Sequence, residues 1–208
     1  MKTSTLVAVS GLSGSGKTRF VQNLYSFFDP QQVTLFSSDN YYKNQDHIPI
    51  QLRDGVNYDH PSAIDADLMA EHIQKLAEGD DILMPLYDFV THTSIKGMEI
   101  MVRSAPVIIV EGLFLLAIEK IREMMDLKIF IDVPHDVCLV RRMYRDMKQK
   151  KRDLDTIMDM HMNNVSNMAQ DFIIPSKRHA DILFSRGGDN EHALNMLKLT
   201  IQNILNNQ

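Results

Sequence analysis

Short runs of consecutive apolar residues alternate along the chain with longer stretches in which apolar positions recur every three or four residues. The continuous runs fall at Leu6–Val9, Val33–Phe36, Val107–Val110, Lys128–Val133 and Asp181–Phe184. Strands that are apolar throughout are buried on both faces, as in a parallel sheet covered by helices on each side. The helical period predicts helices over Lys17–Phe28, Ala63–Glu78, Leu113–Met125, His135–Lys150, Leu154–Gln170 and Glu191–Asn206. Ser62 and Asp65, three apart, predict a capping box at the start of the second of these. Residues 82–102 break the alternation and predict a small β-hairpin beside the main sheet, joined around Thr91–Gly97. No repeat, low-complexity segment or long linker intervenes, so the pattern predicts a single α/β domain over residues 1–208.

Composition narrows the classes. A hydrophobic fraction of 44% and a charged fraction of 24% suit an ordinary globular core. A net charge of −5 argues against non-specific nucleic-acid binding, which needs a broad excess of Lys and Arg. No apolar run approaches the ~20 residues that cross a bilayer, so no membrane partner is expected. Met1 to Thr5 lacks the basic and apolar regions of a signal peptide, and a cytoplasmic location is expected. Cys138 is the only cysteine, which rules out an intrachain disulfide. Between Val137 and Leu139 it reads as a packing residue, not a nucleophile. The 14 methionines, several at helical spacing such as Met158 and Met162, read as flexible core filler.

Gly11-Leu12-Ser13-Gly14-Ser15-Gly16-Lys17-Thr18 matches the Walker A pattern, with a buried strand before it and a helix after it. Such a loop turns successive backbone N–H groups into one anion-sized hollow at a helix N-terminus. Gly11, Ser13, Gly14, Ser15 and Gly16 would cradle the phosphates of ATP, Lys17 would reach the β- and γ-phosphates, and Thr18 would bind Mg²⁺. GTPases and motor ATPases share this loop. The chain has neither the Asn/Thr-Lys-x-Asp guanine motif nor an Asp-x-x-Gly switch, and its 208 residues are short for a motor.

Three further features bear on the chemistry. Asp39 follows the second strand, where ligands of open α/β sheets bind, and could orient an attacking hydroxyl and accept its proton. Glu111 ends the run Val107–Val110 and reads as a direct or indirect ligand of Mg²⁺ beside the phosphate loop, or else as a structural strand end. From Arg141 to Arg152 there are seven basic residues and one acidic. Arg141 and Arg145 share a helix face, and Arg142 and Arg145 nearly do. The run is either a solvated face or a helical lid over residues 141–153 that delivers arginines to the transferring phosphate. Its position after a strand end favours the lid.

The blocks Asp39-Asn40-Tyr41-Tyr42-Lys43, Asn57-Tyr58-Asp59-His60-Pro61-Ser62-Ala63 and Pro85-Leu86-Tyr87-Asp88-Phe89-Val90-Thr91-His92 are more selective than the phosphate loop. Val110-Glu111-Gly112, Arg141-Arg142-Met143-Tyr144-Arg145-Asp146, Pro175-Ser176-Lys177 and Arg186-Gly187-Gly188-Asp189-Asn190 complete the set in order. Together they resemble the uridine–cytidine kinase family of P-loop kinases, its bacterial members most. The resemblance implies a P-loop kinase fold and transfer of a phosphoryl group to the 5′-hydroxyl of uridine or cytidine. It implies Asp39 as catalytic aspartate, with Lys17 and Arg145 in the phosphoryl chemistry. It implies Asp59 and Arg142 on the ribose, Tyr87 and His92 on the pyrimidine edge, Tyr58 and Phe89 as aromatic walls, and Arg145 and Arg152 closing on phosphates and substrate. It also implies ATP as donor with GTP as an alternative, Mg²⁺, a salvage role, end-product inhibition and a homo-oligomer, specifically a tetramer. The chain departs from the family at Met160, Lys151, Ser166, Asn167, Ala169 and Ile174, which leaves the phosphoryl chemistry untouched but bears on nucleoside affinity and lid closure. The alternatives are a phosphoribulokinase-like or pantothenate kinase-like acceptor, or a nucleotide-binding regulator without catalysis. The block from Tyr87 to His92 argues against the first two, whose acceptors have no aromatic base.

Overall fold

The computed structural model describes residues 2–149 and 151–207. In chain order its elements are β1 (Thr5–Gly11), α1 (Lys17–Tyr25), β2 (Val33–Ser37), α2 (Ala66–Glu78), β3 (Ile82–Asp88), β4 (Thr93–Val102), β5 (Val107–Glu111), α3 (Glu119–Arg122), β6 (Leu127–Asp132), α4 (His135–Gln149), α5 (Leu154–Met160), α6 (Ser166–Met168), α7 (Ile174–Ser176), β7 (Ile182–Ser185) and α8 (Glu191–Asn206). Five strands form one sheet in the order β2-β5-β1-β6-β7, and every pairing is parallel. Consecutive residues of β1 after Thr5, and all of β5, are buried. Successive side chains point to opposite faces of a sheet, so both faces are covered there, and the unbroken apolar runs are explained.

Strand register positions the site. Val9 and Ser37 both align with Glu111, so β2 and β5 end level while β1 runs on past them to Gly11. The chain leaves these ends as loops over one crevice, where ligands of such sheets sit.

The hairpin forms as an antiparallel pair, from Ile82 opposite Val102 to Asp88 opposite Thr93, with a shift between Pro85 and Tyr87. Its turn spans residues 89–92, not Thr91–Gly97, and Gly97 lies inside β4. Asp88 sets the turn: its carboxylate accepts from the Val90 N–H at 2.8 Å and the Thr91 hydroxyl at 2.7 Å.

The helices differ from the sequence pattern in instructive ways. The expected capping box at Ser62 does not form, because the Ser62 hydroxyl pairs with His60 Nδ1 at 2.7 Å. Asp65 is itself the cap, accepting from the Leu68 N–H at 3.1 Å, and α2 starts at Ala66. Between Leu113 and Met125 only α3 is helical. Leu113 to Leu116 are all buried, and a stretch apolar on every side has no solvent face to favour a surface helix. From Leu154 the helical run extends past Gln170 to Ser176, with π-helical turns at His161–Val165 and Ala169–Ile173. The expected end of α4 at Lys150 lies outside the described residues. Cys138 is buried, its thiol 3.6 Å from the Val133 carbonyl, as its packing role requires.

Replacing the α2 cap is a local test of this arrangement. Asp65→Ala should cost about 1 kcal/mol of stability, read as a lower urea midpoint at unchanged slope. A midpoint equal to wild type would show that Asp65 does not cap α2.

Candidate active site

The loop between β1 and α1 is backed by the other end of the chain. Gly187 has φ +68°, and a Cβ there would overlap the Ser15 carbonyl. A Cβ on Gly16 would come within 3.0 Å of the Gly188 nitrogen. The first turn of α1 holds no acid, and its N-cap, Gly16, offers no side-chain acceptor, so the end of the helix keeps its positive potential for an anion. Ser15 Oγ is shut off from solvent with no hydrogen-bond partner among the described residues. Lys17 Nζ folds back onto the Leu12 carbonyl at 3.2 Å. Burial lowers the Lys17 pKa, while Glu111 and Asp39 pull it back up. A lysine in that state gains from an added negative group, which is what a phosphate provides.

Glu111 closes the crevice floor. It is 5% exposed, its Oε1 accepts from Ser37 Oγ at 2.9 Å and its Oε2 from Thr18 Oγ1 at 3.2 Å. Burial first, and then Asp39, raise its pKa. Thr18 and Glu111 thus set a hydroxyl and a carboxylate side by side, hard oxygen donors that suit Mg²⁺. Among the described residues no cluster of three or more His, Cys, Asp or Glu could hold a metal alone; oxygens of a bound nucleotide would complete the shell.

Asp39 rides on a 3₁₀ turn, Ser38–Tyr41, directly after β2. The turn is fixed from three sides. A Cβ on Gly112 would overlap the Ser38 hydroxyl, so the chain leaving β5 can pass the turn only as glycine. Asn40 Oδ1 accepts from the Tyr87 N–H at 3.3 Å and ties the turn to the hairpin. The Tyr41 hydroxyl, at the foot of a fully buried ring, meets His72 Nδ1 on α2 at 2.7 Å.

Beyond Asp39 the crevice opens into an aromatic chamber. Tyr42 packs against Tyr87 and Phe89 with ring centroids 5.5 and 5.9 Å apart. Tyr58 stacks on His92 at 4.1 Å and 12°. His92 has φ +53°, uncommon for any residue but glycine, although histidine takes it more readily than most. The loop at 45–55 braces it, with the Gln45 N–H on the His92 carbonyl and Arg53 Nη1 on the Thr91 carbonyl. On the opposite wall Asp59 takes a bidentate pair from Arg142, 2.9 and 3.2 Å, and both side chains are nearly buried.

One cavity of about 370 Å³ joins these parts, a size that suits a small ligand. Ser13, Gly14, Gly16, Lys17, Thr18, Asp39 and Glu111 line it at the phosphate-loop end. Tyr58, Asp59, Tyr87, Phe89, His92, Arg142, Arg145 and Arg152 line the rest. Of the residues singled out in the sequence, Gly11 and Ser15 are outside its lining; both are buried and shape the loop from behind. Tyr42 and Leu113, to which the sequence reading gave no role, line it as well, and so do Arg141, expected in the lid, and Met160, noted as a departure that bears on nucleoside affinity. Asp146 is a further residue that the pattern left unassigned. It is 2% exposed and takes Arg145 at 2.9 Å and Arg142 at 3.7 Å. Its signal is present in the sequence: a lone acid in a basic run, four residues after Arg142 on one helix.

Comparison with known proteins points the same way. Residues 6–193 match the family model described as the phosphoribulokinase / uridine kinase family. The chain is 42% identical over 205 residues to the uridine kinase of Brevibacillus brevis, covering 99% of this chain and 95% of that one. It is 39% identical over 204 residues to the uridine kinase of Anoxybacillus flavithermus, covering 98% and 96%. Among solved structures, phosphoribulokinase from Rhodobacter spheroides superposes with a TM-score of 0.68 at 14% identity, covering 89% of this chain and 71% of that one. At that identity the likeness speaks for the fold: a P-loop kinase sheet.

The close passage of the chain after β5 under the Asp39 turn is directly testable. Gly112→Ala should cost about 1–3 kcal/mol, because the added methyl must displace Ser38. Gly55→Ala, with open space around its Cβ, should stay within about 0.5 kcal/mol of wild type. Equal urea midpoints for the two variants would refute the close packing.

Proposed function

The chain belongs to the phosphoribulokinase / uridine kinase family, and from that premise we propose that it transfers the γ-phosphoryl group of ATP to the 5′-hydroxyl of uridine or cytidine. The observation that carries the choice of acceptor is the chamber beside Asp39: aromatic rings on one wall, a carboxylate–guanidinium pair on the other. Ribulose phosphate and pantothenate have no aromatic ring to fill such a chamber. A pyrimidine nucleoside has a planar base for the rings and vicinal hydroxyls for Asp59 and Arg142.

The roles follow from position. Lys17, facing Glu111 and Asp39 across the crevice floor, neutralises the β,γ-phosphates. Asp39 orients the 5′-hydroxyl and accepts its proton as the bond to phosphorus forms; the β–γ bridging bond breaks, and ADP leaves with the electron pair. Arg145 and Arg152 stabilise the spread charge of the transferring group, with the segment 141–153 acting as a lid. Tyr58 and Phe89 flank the base, while Tyr87 and His92 meet its polar edge. Thr18 and Glu111 would hold Mg²⁺, which when bound draws charge from the phosphate oxygens. The finer reading extends to pyrimidine salvage in the cytoplasm, GTP as an alternative donor and a homo-oligomer. Among the described residues no helix is long and apolar enough to cross a membrane.

Two mutational series test the assignment. Asp39→Asn keeps the shape but cannot take a proton, so turnover should fall ~10²–10⁴-fold with the affinity for ATP little changed. A loss below roughly fivefold would remove Asp39 from the role of base.

The acceptor is tested with kcat/KM for uridine and cytidine. Asp59→Ala should weaken both alike, by ~1–3 kcal/mol or more, since both carry the same sugar and Arg142 would lose its partner. His92→Ala should act unequally, since O4 of uracil accepts and the cytosine amino group donates. If wild type phosphorylates neither nucleoside, or Asp59→Ala spares both, the nucleoside reading fails.

A further inference from the structure

Behind the Asp59–Arg142 pair, on the side away from the aromatic chamber, lies a second small cavity of about 20 Å³. Asp59 and Arg142, with Ser13 and Leu113, line both cavities. The far side carries two imidazoles that the proposed reaction does not use, His135 at the start of α4 and His161 at the start of a π-helical turn. Their ring centroids are 5.6 Å apart. π-helical turns often occur at functional positions, and this one sets His161 next to Met160, which faces the main cavity.

We propose that His161 is a proton-sensitive positioning residue of the acceptor site: neutral, it leaves Asp59 to Arg142, and protonated, it competes for Asp59 and loosens the ribose wall. The inference rests on the nucleoside reading of the main cavity. Its physical basis is a shortage of anionic partners. His161 Nδ1 is shut off from solvent and has no hydrogen-bond partner among the described residues. A neutral ring can leave one nitrogen unbonded at modest cost. An imidazolium is a donor at both nitrogens and carries a charge. The groups around it that hold or can take charge are His135 and Arg142 from α4 and Asp59 from the loop before Pro61. The phosphate loop contributes Leu12 and Ser13, which do not titrate in this range. Asp59 is the one anion lining this cavity, and Arg142 already bonds both of its oxygens.

The electrostatics run in the same direction. Burial, and then His135 and Arg142, hold His161 below the ordinary imidazole range, with Asp59 pulling the other way. The neutral form is therefore the one present at neutral pH, and protonation is an acid-side event. Since the nucleoside needs the intact pair, it binds the neutral form more tightly. By linkage, KM for the nucleoside then climbs toward tenfold per pH unit below the His161 midpoint.

The test is KM for uridine and for ATP from about pH 5.5 to about pH 8, in wild type, His161→Gln and His135→Gln. The expected result is an acid rise in the uridine KM of wild type that His161→Gln abolishes and His135→Gln retains, with the ATP KM flat in all three. An acid rise that persists in His161→Gln, or no rise in wild type, overturns the proposal. A second measurement needs no substrate: the His161 ring titration followed by NMR in the free protein, in wild type and Asp59→Asn. Loss of the carboxylate should lower the His161 midpoint; an unmoved midpoint overturns the coupling. If wild type proves inert toward pyrimidine nucleosides, the acceptor reading fails, while the ring titration still decides whether His161 and Asp59 are coupled.

Discussion

A buried carboxylate at the end of a central strand is the constraint on which the rest of this site depends. Glu111 sits where a charge is costly to hold, between Ser37 and Thr18 hydroxyls and facing Lys17 and Asp39. The strand register makes that meeting obligatory, since Ser37 and Val9 both align with it. With Lys17 depressed and Glu111 raised, both by burial, the crevice floor is electrostatically unsettled without a ligand. A phosphate chain and a hard cation would relieve both at once. Strain of this kind concentrates at functional sites, and here its cause is geometric: the ends of β2 and β5 brought level beside β1, under a helix N-terminus.

The acceptor side is built by different means. No sheet register sets the distance between Asp39 and the aromatic rings. A chain of side-chain contacts does, through Asn40 to Tyr87, Asp88 to the hairpin turn, and Arg53 to Thr91. The opposite wall hangs on Asp146, which takes both Arg142 and Arg145 from within α4. The phosphate side is thus rigid by backbone pairing and the acceptor side by side-chain bracing. That division fits a family whose members share the phosphate chemistry and differ in acceptor.

Legibility in the sequence divides along the same line. The central strands β1 and β5 can be read because burial on both faces writes itself as continuous apolar runs, and β7 at the sheet edge keeps an apolar run although Leu183 and Ser185 are exposed. The phosphate loop can be read because its geometry demands glycines at set spacing. The hairpin is visible but its turn is not where the glycine suggests, since Gly97 has the look of a turn residue while the Asp88 side chain makes the actual turn. Leu113 to Leu116 carry helical composition without a polar face, and tertiary burial overrides it. Tyr42 and Leu113 stay hidden because each matters through a cavity, which spacing along the chain does not record, whereas Asp146, whose partners lie one and four residues away, could have been read from the basic run. The π-helical turns after Met160 are likewise invisible, because one extra residue per turn shifts the apolar period without abolishing it.

The seam between Ser15–Gly16 and Gly187–Gly188 has a consequence for how the protein is made. The glycine-rich loop after β1 is synthesised well before the surface that braces it, which comes more than 170 residues later. Contacts of such long span close late, because the entropy of the intervening chain must be lost first. A partly synthesised chain would therefore carry the motif without the socket. Any nucleotide binding at this loop would follow the docking of β7 and the Gly187–Gly188 turn, and the ligand would then favour the fold that holds this seam over any intermediate without it.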